Sequence, residues 1–216
     1  MGKKAIVIGA GIGGIASAIR LAHLGFETIV YETNSEPGGK IRSSQFKDYR
    51  FDMGPSVFTE PQLVDELLNL NASSTSSFSY QKLPISCNYF FEDGVKIALP
   101  SGADMVSEVL HKELGEDKAQ VYRYLKRLED NYESVYPVFI SSSLHRISHW
   151  FNKGLFRALL RIPKYGLLTT MNDMNRNRFK NKKTIQIFNR FATYNGSNPY
   201  EAPGMLNIIA HLELNI

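Results

Sequence analysis

Six residues near the start, Gly9-Ala10-Gly11-Ile12-Gly13-Gly14, carry the spacing G-x-G-x-x-G. The chemistry of that pattern is the holding of a dinucleotide diphosphate. Gly9 permits a tight turn, Gly11 lets the backbone approach a pyrophosphate, and Gly14 lets a helix pack closely on a strand. Glu32 follows about 20 residues later, where a carboxylate accepts hydrogen bonds from a ribose diol. An acid there also repels a 2′-phosphate, which disfavours NADP. The alternative is an ordinary strand–turn–helix with a surface glutamate, and the combination of glycines, flanks and acid argues against it.

These residues need particular elements to hold them. Ala5-Ile6-Val7-Ile8 is short, apolar and β-branched, and reads as a buried parallel strand. A helix is expected from about Ile15 to Ala22, with Gly25 as its stop. Thr28-Ile29-Val30-Tyr31-Glu32 is a second strand, which makes the unit a right-handed βαβ crossover. Beyond Gly39 the chain reads as a polar loop through Asp48. A helix then enters at Thr59-Glu60-Pro61-Gln62, with Thr59 as cap and Gln62 completing a capping box, and runs to about Leu70. The serine-rich stretch Asn71–Ser79 is the expected domain boundary. A hairpin around Glu92-Asp93-Gly94, a helix from Ser101–Asp104 to Gly115, and a longer helix from Lys118 to Tyr136, stopped by Pro137, follow.

The glycines and the acid do not by themselves separate NAD from FAD. The next residues narrow the choice. Glu36-Pro37-Gly38-Gly39-Lys40-Ile41-Arg42-Ser43 and Phe51-Asp52-Met53-Gly54-Pro55-Ser56 resemble the FAD-dependent amine oxidase and carotenoid desaturase superfamily. Within it, the chain is similar to the bacterial-type phytoene desaturase family, which includes the carotenoid 3,4-desaturases. The similarity runs on through Val57-Phe58-Thr59-Glu60-Pro61 and returns at Phe191-Ala192-Thr193-Tyr194-Asn195-Gly196-Ser197-Asn198-Pro199-Tyr200.

That resemblance implies FAD as cofactor, held by Gly9, Gly11, Gly13, Gly14, Glu32, Gly38, Gly39, Lys40, Arg42, Asp52, Gly54, Pro55 and Ser56. It implies hydride transfer from an apolar polyene, phytoene or a hydroxycarotenoid, to the flavin. Members of the family are longer and return to the cofactor domain after the position of Ile216, so an N-terminal part of such an enzyme is expected. The expected fold class is α/β: a Rossmann-like FAD-binding βαβ domain, incomplete, over residues 1–72, and a helix-rich α+β substrate-side domain over 73–216. His211 and Glu213 lie near the end of the resemblance, and no catalytic residue is assigned.

Composition sets the remaining limits. The chain has 216 residues, 43% hydrophobic and 21% charged, which is globular usage. Cys87 is the only cysteine, so an internal disulfide is impossible and a reducing compartment is expected. The five histidines show no zinc-binding spacing, and no metal is expected. Basic residues crowd the later part, from Arg146 to Arg190, with Asp173 as the only acid. His145–Leu168 mixes them with Trp150, Phe151, Leu155 and Phe156. This is either a core helix with a solvated face or an amphipathic element resting on an anionic bilayer, where each basic residue contributes roughly 1 kcal/mol. The expected location is cytoplasmic, peripheral on the inner face of the membrane. The Arg176–Lys183 run lacks a nucleic-acid recognition motif, so nucleic acid is not an expected partner. An amine or protoporphyrinogen oxidase is the alternative enzyme, and a non-catalytic fragment is the alternative class. A plain NAD dehydrogenase leaves Gly38-Gly39 and Asp52–Pro55 unexplained.

Overall fold

A computed structural model describes residues 2–55, 58–70, 78–137 and 165–215. Two compact units divide the chain, Met1–Gln81 and Lys82–Ile216.

In the first unit, β1 (Lys4–Ile8) pairs in parallel with β2 (Glu27–Tyr31), in the register Lys4↔Glu27 to Ile8↔Tyr31. α1 (Ile12–His23) makes the crossover between them. The helix starts three residues earlier than its apolar pattern indicates, because the glycines do not delay it: Ile12, Gly13 and Gly14 already form its first turn. At its end Leu24 and Phe26 donate backbone hydrogen bonds to the Arg20 and Leu21 carbonyls, and Gly25 adopts φ 83°. That left-handed turn is one glycine takes without penalty. Arg20 and His23 in the last turn complement the helix dipole.

Three expectations are corrected in this unit. β1 is parallel but not buried: Ile6 is 64% and Ile8 88% exposed. A parallel sheet needs cover on both faces, and among the described residues only β2 pairs with β1. The loop through Asp48 is instead an antiparallel hairpin, β3 (Ser43–Phe46) and β4 (Tyr49–Asp52), turning at Lys47 with φ 53°. All eight of its strand residues are exposed, so no apolar alternation marks it in the sequence. The capping box at Thr59 does not form. α2 (Gln62–Asn69) has Pro61 at its N-cap without a side-chain cap, and the Gln62 amide donates to the Glu60 carboxylate at 2.8 Å.

The second unit holds most of the buried apolar side chains. The hairpin β5 (Ile85–Phe90) and β6 (Lys96–Pro100) carries a bulge between Ile85 and Cys87. It shares one core with α3 (Ala103–Leu114), α4 (Lys118–Val135), α5 (Met171–Arg176), α6 (Lys182–Asn189) and α7 (Ile209–Leu214). Leu99, Val106, Leu110, Val121, Leu125, Met171, Ile187, Phe188, Phe191 and Leu214 form the core. Helix starts are fixed locally: Asp117 accepts from the Gln120 N–H, Thr170 from Asp173 and Asn181 from Lys183, each replacing a partner the first turn lacks.

One start is fixed from a distance. Glu116 is buried, and its carboxylate accepts the backbone N–H groups of Lys180 at 3.3 Å and Asn181 at 2.9 Å. Glu116→Ala is expected to lower unfolding free energy by about 2 kcal/mol, because two part-buried hydrogen bonds to the carboxylate are lost. Urea denaturation measures this, and an unchanged midpoint would refute it.

Most of the basic, apolar stretch from His145 to Leu168, with both readings of it, lies outside the described residues. The landmark from Phe191 to Tyr200 begins in a 3-10 helix, Arg190–Asn195, closed by Gly196 at φ 63°. Phe191 and Ala192 are buried in the core, so part of that resemblance reports packing.

Candidate dinucleotide site

The site is made where three glycine-bearing segments of the first unit meet backbone to backbone. β1 ends in the Gly9 turn, whose N–H donates to the Tyr31 carbonyl at 2.7 Å. This ties the glycine turn to the strand that presents Glu32. Gly14 sits against that turn so closely that a Cβ there would lie 1.9 Å from the Gly9 carbonyl oxygen. The second segment is stitched to the first: the Gly38 N–H donates to the Ala10 carbonyl at 2.8 Å, and Gly11 and Gly38 form an isolated parallel bridge. A Cβ on Gly39, at φ 61°, would lie 3.1 Å from the Gly11 Cα. The third segment closes on the second. A Cβ on Gly54 would meet the Lys40 carbonyl oxygen at 2.4 Å, and the Met53 N–H donates to the Arg42 carbonyl.

Glu32 stands beside these segments. Its Oε2 accepts from the Ala10 N–H at 2.7 Å, and its Oε1 accepts from the Asn34 N–H at 2.9 Å and the Asn34 Nδ2 at 2.8 Å. The Asn34 backbone N–H, then the Ala10 N–H, and the Asn34 amide hold the carboxylate down to a pKa of about 2. A lowered carboxylate value means the ionised form stabilises the fold. That stabilisation is complete above the ordinary value of 4.5 and is lost as pH falls from there through about 2. A carbon-13 carboxyl titration is therefore expected to find Glu32 fully ionised at pH 4, and a midpoint near 4.5 would contradict the network.

A cleft of about 490 Å³ opens among Asn34, Gly39, Lys40, Arg42, Met53, Gly54 and Pro55. Of the residues read from the sequence, Gly39, Lys40, Arg42, Gly54 and Pro55 line it directly. Gly9, Gly11, Gly14 and Gly38 build the turns behind it. Gly13 is in the first turn of α1, and a Cβ there would meet nothing within 4 Å. Asp52 is set apart: it ends β4 and pairs with Arg50 at 3.1 Å on an exposed face. Ser56 lies outside the described residues. Lys40 and Arg42 form no ion pair with any described residue, so two cationic side chains face an open cleft.

The first turn of α1 adds what an anion needs. It contains no acidic residue and has no side-chain cap, so its N–H groups and the positive end of the dipole are available to a phosphate. The arrangement fits a dinucleotide: glycines where bulk would collide, an acceptor for ribose, donors and cations for a diphosphate. Sequence reasoning missed Asn34, Met53 and the Ala10 N–H. The spacing of Asn34 two residues after the acid was a readable signal, since asparagine commonly bonds back to neighbouring groups at that distance.

His211 and Glu213 belong to the second unit. Glu213 is committed there, accepting from Arg190 and from the Tyr194 hydroxyl, with its side chain 6% exposed. Arg190 also donates from Nε to the Tyr89 hydroxyl at 2.9 Å. This is a self-satisfied polar cluster between β5, the 3-10 helix and α7.

Residues 7–69 match the NAD(P)-binding Rossmann-like domain family. The chain is 40% identical to the 1-hydroxycarotenoid 3,4-desaturase of Flavobacterium sp. (strain P99-3), over 99% of this chain and 44% of that protein. It is 31% identical to the 4,4′-diaponeurosporene oxygenase of Staphylococcus aureus (strain MRSA252), over 99% of this chain and 43% of that one. Among solved structures, a cofactor-binding redesign of putrescine oxidase superposes with a TM-score of 0.54 at 13% identity, covering 98% of this chain and 43% of the other. At that identity the likeness is one of fold. The chain spans less than half the length of the curated relatives it matches.

Proposed function

We infer, from a chain related along its whole length to the carotenoid 3,4-desaturases, that it is part of a flavoprotein that binds FAD and desaturates a carotenoid precursor. The observation that carries this reading is the second glycine pair. Gly38 is bonded to the Gly9–Gly14 turn and Gly39 packs against it; with Lys40 and Arg42 they put cationic groups at the cleft beside Glu32. A minimal NAD site does not require that segment.

The protein's part in the chemistry is to bind and orient. Glu32 accepts from the adenosine ribose, and its negative charge rejects a 2′-phosphate. The first turn of α1 faces the diphosphate, with Lys40 and Arg42 as its counter-charges. Bound there, FAD would supply the hydride acceptor for removing two hydrogens from neighbouring carbons of a polyene. The substrate class is an apolar polyene such as phytoene or a hydroxycarotenoid. Such molecules dissolve in bilayers, so a peripheral position on the cytoplasmic face of the membrane accompanies the reading. Among the described residues no helix is long and apolar enough to cross a membrane.

The experiment is reconstitution with FAD followed by anaerobic mixing with substrate. Co-elution of a yellow protein, and bleaching by phytoene or a hydroxycarotenoid, are expected. Bleaching by a primary amine would replace this reading with an amine oxidase. A fluorescence change with NADH, together with no FAD uptake, would replace it with a nicotinamide enzyme.

A further inference from the structure

Asn195-Gly196 is the only Asn–Gly pair in the chain. Asparagine is a thermally labile residue, most of all before glycine, where no Cβ shields the next backbone nitrogen. Once that nitrogen gives up its proton, it attacks the asparagine Cγ. The new C–N bond closes a five-membered succinimide, the Cγ–Nδ2 bond breaks, and the side-chain nitrogen takes up a proton and leaves as ammonia. Water then adds to either ring carbonyl and opens the ring to aspartate or isoaspartate. Nothing is oxidised or reduced.

Asn195 is exposed, so water reaches it, but the fold opposes the first step. Asn195 is the last residue of the 3-10 helix, and Gly196 follows at φ 63°. The Gly196 N–H donates to the Thr193 carbonyl at 3.0 Å, and the Ser197 N–H donates to the Ala192 carbonyl at 3.0 Å. These two bonds form the Schellman pattern of a helix end. The nitrogen that would attack is thus committed as a donor and keeps its proton. The helical backbone of Asn195 also holds that nitrogen away from the line of approach to Cγ. Phe191 and Ala192, in the same short helix, are buried, and the Tyr194 hydroxyl donates to Glu213, so packing resists the turn's opening. Gly25 and Gly115 end helices with the same sign of φ, but each follows a leucine.

We propose that Asn195 is a site of spontaneous deamidation gated by this turn: the hydrogen bond that closes the helix end also withholds the nucleophile, so the reaction runs from molecules in which the turn has opened. The glycine that makes the asparagine labile is the residue the left-handed cap requires. Isoaspartate inserts a carbon atom into the main chain between Tyr194 and Gly196, and the two Schellman bonds then lose their register. Either product also adds a negative charge next to Tyr194, which serves the Glu213 carboxylate. A transient opening of the turn is thereby made permanent.

The intact chain is incubated in mildly alkaline buffer, native or unfolded in urea, and the aspartyl and isoaspartyl forms of the Asn195 peptide are counted by mass spectrometry. Native protein is expected to deamidate at least about tenfold more slowly, because the rate follows the population of the opened turn. Hydrogen exchange of the Gly196 amide reads the same opening, and its protection is expected to match the slowing of deamidation. S197P deletes one Schellman bond and leaves the Asn–Gly pair intact. It is expected to lower Gly196 protection and to speed native deamidation by the same factor. Equal rates in native and unfolded protein would overturn the proposal. So would slow native deamidation with an unprotected Gly196 amide, or lost protection in S197P at an unchanged rate. The wild-type comparison decides by itself if S197P does not fold.

Discussion

Gly14→Ala is expected to abolish dinucleotide binding and to destabilise the first unit by about 3 kcal/mol or more. The Cβ would lie 1.9 Å from the Gly9 carbonyl oxygen and 3.0 Å from its carbon. Both are backbone atoms, so no side chain can rotate away. Relief requires α1 to move off the end of β1, and overpacking of this kind commonly costs about 1–3 kcal/mol, or more where backbone must shift. The movement also displaces the first turn of α1, whose N–H groups would face a bound diphosphate. Gly13→Ala is the internal control. Its Cβ would meet nothing within 4 Å, and alanine is about 1 kcal/mol better than glycine inside a helix. Thermal unfolding should therefore separate the two variants in sign. A G14A protein as stable as the wild type would show that the close approach is not there.

The second large effect is expected far from the cleft in sequence, at Asn175. This side chain is completely buried in the second unit. Its Oδ1 accepts from the Tyr124 hydroxyl at 2.7 Å, and its Nδ2 donates to Asn189 Oδ1 at 2.9 Å and Asn207 Oδ1 at 3.1 Å. Asn189 in turn donates to Asn172 at 3.0 Å, and Asn207 to the Gly204 carbonyl. Each member is satisfied by another, which is what makes such a network tolerable in an apolar core. Asn175→Ala removes three bonds and strands three buried polar groups. At about 1–3 kcal/mol for each unsatisfied group, the expected loss is about 4 kcal/mol. Tyr124→Phe deletes one bond while keeping the ring edge-on against Phe179 and Phe188, and should cost about 1 kcal/mol. Chemical denaturation of both variants tests the ranking. Equal losses would mean that the ring packing, and not the network, sets the stability there. The network also explains why asparagines stand at 172 and 175 in α5 and at 189 in α6, where their helix propensity is poor.

The two regions differ in how much of them is legible before folding. In the cofactor unit, the glycine spacing, the acid at Glu32 and the Gly38-Gly39 pair all carry short-range chemical requirements. A glycine is needed where a backbone comes close or φ turns positive, and that need leaves its trace at fixed offsets in the chain. The same holds for Gly25, Gly94, Gly115 and Gly196, which end helices or turn hairpins. The hairpin at Ser43–Asp52 left no such trace, since all its strand positions are exposed and its turn uses Lys47. The Thr59 capping box was a local pattern that lost to the chain's path through Glu60 at φ 57°.

The kind of ligand is therefore written in the chain alone: a strand, a glycine turn, a helix and an acid specify an adenine dinucleotide, because each requirement is met within about 30 residues. The assembly of the site is not written there, and three-dimensional packing settles it. Gly54 closing on Lys40, the Ala10 N–H donating to Glu32, and Glu213 committed to Arg190 and Tyr194 are contacts whose pairing depends on how segments pack. Spacing can announce a backbone turn because the turn is local. It cannot announce that the Ala10 N–H, 22 residues away, donates to the Glu32 carboxylate, because that depends on where two separate segments come to rest.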